Sequence, residues 1–226
     1  MKRIVFLLLL LSHFFSLADD AALIKQLLAE NLDKRTFAFT DVVLASSGKK
    51  VIPLDSNNAA HLRITQAIRT ALDQALVTLS REDSPVRKLR RINEASRYFE
   101  DALMLSINQS PGLRCEIPPT KKGDLQRSGY PDLKITDRNS GLVAYLDPKL
   151  VESKSLHSTL RTFYYEPKHE TLKINDDAIH LLCGIEHDGK EGQWTFTHFH
   201  LVDLSTLRVR LKAEFQASNA ELYPKK

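Results

Sequence analysis

The chain has 226 residues, of which 42% are hydrophobic and 27% charged, with two cysteines and eight glycines. This excludes a disordered, collagenous or disulfide-stapled chain and allows one substantial core. The formal charge is only +4, so bulk charge does not point to a nucleic acid and only local clusters can.

Residues 1–18 have the layout of an export signal. Lys2 and Arg3 precede an apolar run from Ile4 to Leu11, extended by Phe14 and Phe15. Ser16-Leu17-Ala18 then leads into Asp19-Asp20. The run is shorter than the ~20 apolar residues that span a bilayer, and no Cys follows it to carry a lipid. The expectation is a cleaved signal peptide, export to a periplasm or the medium, and no stable membrane insertion afterwards. Cleavage would remove two basic residues and no acidic one, leaving a net charge of +2.

Helical spacing follows over residues 21–32, with Leu23, Leu27 and Leu28 on one face. Residues 36–54 read as a hairpin, two strands joined by Ser46-Ser47-Gly48. Residues 59–79 carry the stripe Leu62, Ile68, Leu72, Leu76 and Leu79 and predict a helix. Ser84 as cap and Pro85 at the first helical position predict a second long helix, ending near Gln109 before Pro111-Gly112. The texture then turns to strands at 113–117, 131–136 and 142–147, with a tight turn at Asn139-Ser140-Gly141. A helix near 153–163 and strands at about 178–186, 193–203 and 206–215 complete the chain. The order of elements predicts an α/β domain over residues 85–226, a mixed central sheet flanked by helices, with residues 19–84 as an appended set of helices and a hairpin.

The stretch richest in chemistry is Tyr130-Pro131-Asp132, then the turn, then Leu146-Asp147-Pro148-Lys149. Pairing the two strands about the turn sets the start of the first beside the end of the second, so Asp132 meets Asp147. Residues two apart in a strand share a face, so Lys149 joins them. Converging carboxylates repel unless a cation sits between them, and hard oxygen ligands suit Mg²⁺ or Mn²⁺. Such an ion can activate water and polarise a phosphoryl oxygen, while a neighbouring Lys orients or deprotonates the water or offsets developing charge.

Pro131-Asp132 followed by Asp147-Pro148-Lys149 resembles the signature of the PD-(D/E)xK, or restriction-endonuclease-like, nucleases. The resemblance covers roughly residues 94–185. It implies an αβββαβ core, a Mg²⁺ or Mn²⁺ cofactor, and hydrolysis of phosphodiester bonds in nucleic acid, DNA above all. Asp132, Asp147 and Lys149 become the catalytic set, and the middle residue Pro148 would offer its carbonyl to the metal. The helix before the first strand often supplies a further Glu in this family, which points to Glu100 ahead of Glu94. Pro148 departs from an ordinary strand because it lacks a backbone donor. An exported member fits degradation of foreign or nutrient nucleic acid better than genome defence.

Around this centre, Lys121, Lys122, Arg127, Arg161 and Lys168 are candidate phosphate contacts, and Tyr164 or Tyr165 could stack on a base. Three alternatives stay open. The fold could bind nucleic acid or another partner without cleaving it. His198 and His200, with His187 or Asp188, could hold zinc. Cys115 and Cys183 could pair in an oxidising compartment or stay as buried thiols.

Overall fold

The computed structural model describes residues 20–159, 163–212, 214 and 216–223. The expected signal peptide and Arg161 lie outside those residues. The chain forms two compact units, one made of its two ends and one running from Phe39 to Leu207. No helix among the described residues is long and apolar enough to cross a membrane.

In the smaller unit, a helix over residues 20–29 (α1) precedes a short strand, Thr36–Ala38 (β1). This strand pairs antiparallel with a second one contributed by the other end of the chain, in the register Thr36↔Arg210.

The larger unit opens with a helix, Phe39–Ser47 (α2), a two-residue strand, Val51–Ile52 (β2), and a long helix, Ala59–Leu79 (α3). The hairpin expected over 36–54 is therefore incorrect. Phe39 and Val43, four residues apart, are the buried positions of α2, and the Ser46 and Ser47 hydroxyls bond back to the carbonyls of Val42 and Val43. Strand β2 pairs not with a hairpin partner but parallel to a strand more than a hundred residues later. Helix α3 begins where the Asn58 side chain accepts from the N–H groups of Ala60 and His61, meeting donors that the first helical turn leaves without partners.

The long helix expected from Ser84 is also interrupted. Pro85–Lys88 and Ile92–Ala95 are separate 3-10 turns, parted by extended backbone at Leu89 and Arg91. The α-helix is confined to Ser96–Asn108 (α4).

The strands Leu113–Glu116 (β3), Leu133–Asp137 (β4), Val143–Glu152 (β5), Ala178–His187 (β6) and Phe196–Asp203 (β7) form the central sheet with β2. Its order is β2-β6-β5-β4-β3, with β7 also on β6. β3, β4 and β5 are antiparallel neighbours, β5 and β6 are parallel, and β7 returns antiparallel to β6. The β4–β5 turn is tight because Gly141 adopts a positive φ of 75°, a conformation that costs glycine little. Its N–H returns to the Asp137 carbonyl. In place of the helix expected near 153–163, the described residues hold a 3-10 turn at Ser153–Ser155. A last strand, Arg208–Arg210 (β8), is the partner of β1, and a short helix, Asn219–Leu222 (α5), follows.

Alternation along the strands sends Leu133 and Ile135, Ala144 and Leu146, and Ile179, Leu181, Cys183 and Ile185 into one core. Ile64, Ile68 and Leu72 of α3 and Phe99, Leu103 and Ile107 of α4 fill it from the other side. The division expected between residues 84 and 85 does not hold here, because α3 shares the core of the sheet and β2 is one of its strands. The opposite face at the start of β5 and β6 carries Tyr145 and His180. There Phe39 stands edge-on to Tyr130 and His180, each with centroids 5.7 Å away. The result is the mixed α/β arrangement, sheet between helices, of a restriction-endonuclease-like core.

Candidate active site

The site grows out of a fork in the sheet. β4 accompanies β5 only as far as Leu133↔Leu146, whereas β6 stays with β5 through Glu152↔His187. Asp132 is the residue just before β4 begins, and Asp147 is the first residue of β5 beyond that pairing. β5 thus does not stop at Pro148, as a missing donor suggested. It continues on β6, with Pro148 in register with Cys183, and is free only on the side β4 has left.

Lys149 Nζ lies 2.7 Å from Asp147 Oδ2 and 3.4 Å from Asp132 Oδ2. The two carboxylate oxygens are therefore no farther apart than those two contacts laid end to end. Asp147 is almost fully buried, its side chain 2% exposed, while Asp132 at 13% and Lys149 at 28% reach toward solvent. The Lys149–Asp147 approach is off the direction of a hydrogen bond, so Asp147 Oδ2 is buried with a charge beside it but no donor aligned on it.

Burial, reinforced by the Asp132 charge and only partly relieved by Lys149, raises the Asp147 carboxyl to about 7. Burial also works against the Lys149 ammonium, but the Asp147 and Asp132 charges outweigh it and hold this group above its usual range. The resting lysine is thus a proton donor. The donor set has what a small hard cation needs: facing carboxylates, one of them with an oxygen lacking an aligned partner.

Glu100 projects from α4 at the edge of this cluster. Burial, and then the Asp132 charge, raise its carboxyl despite the opposing Arg127 guanidinium. Arg127 bonds Glu100 at 3.0 Å and Asp101 at 2.6 Å. Among the described residues no three His, Cys, Asp or Glu side chains converge as a metal-binding group. The acids at the fork are a pair, with Glu100 held aside by its arginine.

A family model described as the type II restriction enzyme MjaV family matches residues 29–226. The chain belongs to the type II restriction enzyme MjaV family. Type II restriction enzyme MjaV from Methanocaldococcus jannaschii is 29% identical over 198 residues, an alignment covering 83% of this chain and 85% of that protein. The match to the MjaV family takes in the whole of the larger unit, including the fork and its acids.

In this member of the MjaV family the remaining expected residues are placed unevenly. Lys121 and Lys122 are exposed on the loop that precedes β4, and Lys122 pairs with Glu170 at 2.9 Å. Arg127 faces the acids of α4. Lys168 is exposed and pairs with Glu166 at 3.0 Å. The Tyr165 hydroxyl is 2.6 Å from Ser46 Oγ, and its ring packs on Phe39 and Tyr130, which makes it part of the aromatic cover.

The zinc alternative fails on geometry. His187 packs edge-on to Trp194, Asp188 accepts from Thr195, and His200 bonds Glu186 at 2.6 Å. Cys115 and Cys183 are both free and buried. They sit on β3 and β6, with β4 and β5 between them. At ~4.8 Å per strand that separation is roughly twice the span of a disulfide.

Sequence reasoning missed Lys173. This residue is fully buried in an irregular segment between Leu172 and Ile174, and its environment includes the charges of Asp132, Asp147, Glu100 and Lys149. The one signal available was a lysine set between two apolar residues, which is weak.

Proposed function

We propose that this protein is an exported, divalent-metal-dependent endonuclease of PD-(D/E)xK type that hydrolyses phosphodiester bonds of DNA. The observation that carries this reading is the Lys149 ammonium set between Asp132 and Asp147 at the fork of β4 and β5, in a chain that belongs to a family of restriction enzymes. Support for export comes from the order of charge, apolar run and small residues over 1–18.

Asp132 and Asp147 would hold Mg²⁺ or Mn²⁺, with the Pro148 carbonyl as a further oxygen ligand and Glu100 joining them on leaving its pair with Arg127. When bound, the ion supplies Lewis-acid polarisation of the phosphate and a more acidic water. The protein's own groups do the rest. Asp132 and Asp147 would set the place of the ion at the end of the β4 pairing, and through it where a phosphate could sit. Lys149, held protonated, donates toward the phosphoryl oxygens, where charge grows as the water oxygen bonds to phosphorus and one ester P–O bond breaks; the water's proton passes to solvent and the leaving oxygen takes one from it. Lys121, Lys122 and Lys168 supply exposed positive charge for the backbone of the substrate.

The test uses the mature chain from Asp19 and a supercoiled plasmid. Nicking is expected with Mg²⁺ or Mn²⁺ and none with EDTA. Asp132→Ala and Lys149→Ala are expected to lose activity by on the order of a hundredfold or more. Wild-type rates in both variants would remove the site assignment. Export is checked separately, by whether the protein recovered outside the cytoplasm begins at Asp19.

A further inference from the structure

The register of the sheet continues the site sideways. Lys149 on β5 stands opposite Gly184 on β6, and Gly184 stands opposite His200 on β7. Their chain neighbours Leu150, Cys183 and Leu201 turn into the core, so Lys149, Gly184 and His200 form one row on the other face. Each of the three is partly open to solvent. Two strand spacings of ~4.8 Å set the backbones of Lys149 and His200 about 10 Å apart, and the residue between them has no side chain.

A glycine inside a strand paired on both sides weakens that strand. Gly184 has none of the local reasons for being one. Its φ is not positive. The bulge between β6 and β7 falls later, at Glu186 and His187. Among the described residues, the nearest atom that a Cβ at 184 would meet is the His200 Cβ at 3.9 Å, an ordinary contact. Neither backbone conformation nor packing calls for glycine here, and the reason that is left is the close approach of a ligand. The far side of the gap is built as well. His200 Nε2 lies 2.6 Å from Glu186 Oε1, with the two side chains 37% and 14% exposed. Glu186 shares the face of Gly184 and fixes the ring that overlooks the gap.

We propose that the gap over Gly184 seats the sugar–phosphate backbone of the substrate strand, with His200, oriented by Glu186, as the contact for a phosphate beyond the one that reacts at Lys149. This rests on the nuclease reading of the site. The separation of about 10 Å corresponds to roughly three nucleotide steps of 3.4 Å along a duplex. A ring that donates to Glu186 through Nε2 donates to a phosphate through Nδ1 as the imidazolium, since both nitrogens then carry a proton. Glu186 and the phosphate, one on each nitrogen, both favour that cation. A side chain placed at 184 would fill the seat without touching Asp132, Asp147 or Lys149, so loss of DNA binding is separable from loss of metal binding and of stability.

The experiment compares the mature protein with Gly184→Ser, Gly184→Leu and His200→Gln. Plasmid nicking gives KM and kcat, calorimetry gives Mn²⁺ affinity on the DNA-free protein, and urea unfolding gives stability. Affinity for a fragment of the same plasmid is measured in EDTA across a salt series. Gly184→Leu is expected to raise KM and weaken fragment binding at least several-fold, with Gly184→Ser between it and wild type. Both should keep the Mn²⁺ affinity and a urea midpoint at or above that of wild type. His200→Gln, which keeps a neutral donor, is expected to lower the slope of log affinity against log salt by about 0.9, the share of one phosphate contact. Wild-type KM in a folded Gly184→Leu protein would overturn the proposal. Should that variant not fold, wild-type KM in Gly184→Ser would do the same, and so would an unchanged salt slope in His200→Gln or a fall in Mn²⁺ affinity in step with DNA affinity. A wild-type protein that neither binds Mn²⁺ nor nicks plasmid would instead sink the nuclease reading itself, which separates the two failures.

Discussion

Two opposing fields meet at Asp147. Burial and Asp132 disfavour its charge, and Lys149 favours it. Replacing Lys149 by Met is expected to leave the carboxyl more protonated near neutral pH and to abolish nicking even at saturating metal, where an effect on metal affinity alone would be overcome. Single-turnover rates over a Mn²⁺ titration separate the two. His180 gives a prediction of the other sign. Its ring is fully buried among aromatic side chains, its Nδ1 is 2.7 Å from the Tyr130 hydroxyl, and burial lowers it to about 4. The unfolded chain takes up a proton below the ordinary histidine value of about 6.5, but the folded chain does not until about pH 4. Stability is therefore present above pH 6.5 and lost as pH falls from 6.5 toward 4, by roughly 2–3 kcal/mol from this group. Urea midpoints at pH 7 and 4.5 should fall further apart for wild type than for His180→Gln, and parallel shifts would refute the assignment. The meeting of Asp132, Asp147 and Lys149 was legible because a short turn joins their strands and period-two geometry aligns them. Lys173 was not, because the carbonyls it meets, those of Gln126 and Arg127, lie 47 and 46 residues away in the chain and no local pattern connects them.

Among the elements, the bounds of α3 were predicted to the residue, although Leu62, expected on its apolar stripe, is exposed and Ile64 is buried instead; the reason for the bounds is local. Asn58 meets the first free N–H groups, and the apolar stripe has helical spacing throughout. Asn58→Ala should cost about 1 kcal/mol, read as a lower urea midpoint with an unchanged slope. The segment 39–47 shows the opposite case. Its Phe, Thr and paired valines have strand propensity, but as a helix the segment buries Phe39 completely in the aromatic cluster with Tyr130, Tyr165 and His180, and tertiary packing decides. Strand β5 was expected over residues 142–147, with Pro148 unable to donate on one side of its end. The pairing to β6 carries it on to Glu152, with partners 35 residues away in the chain that no local reading supplies.

For the molecule as a whole, the class of fold followed from the succession of helical and strand-like patterns, while the division into units did not. The two ends meet through β1 and β8, a pairing across more than 170 residues, and that partnership leaves no trace in composition. The separation of Cys115 and Cys183 also belongs to this scale. Even in an oxidising compartment, both thiols should be recovered free after rapid denaturation in alkylating reagent, and thermal unfolding should be indifferent to reductant. An intact disulfide would contradict the strand order. The branching of β4 away from β5 has one more consequence. Past Leu146, β5 has a strand partner along one flank only, so Asp147 and Lys149 take their alignment from β6 while the other flank carries no ladder. The paired and the unpaired backbone edges are therefore on opposite sides of a single strand. Substitutions that disturb the paired edge should alter how accurately the acids are aimed, and substitutions along the unpaired edge should not.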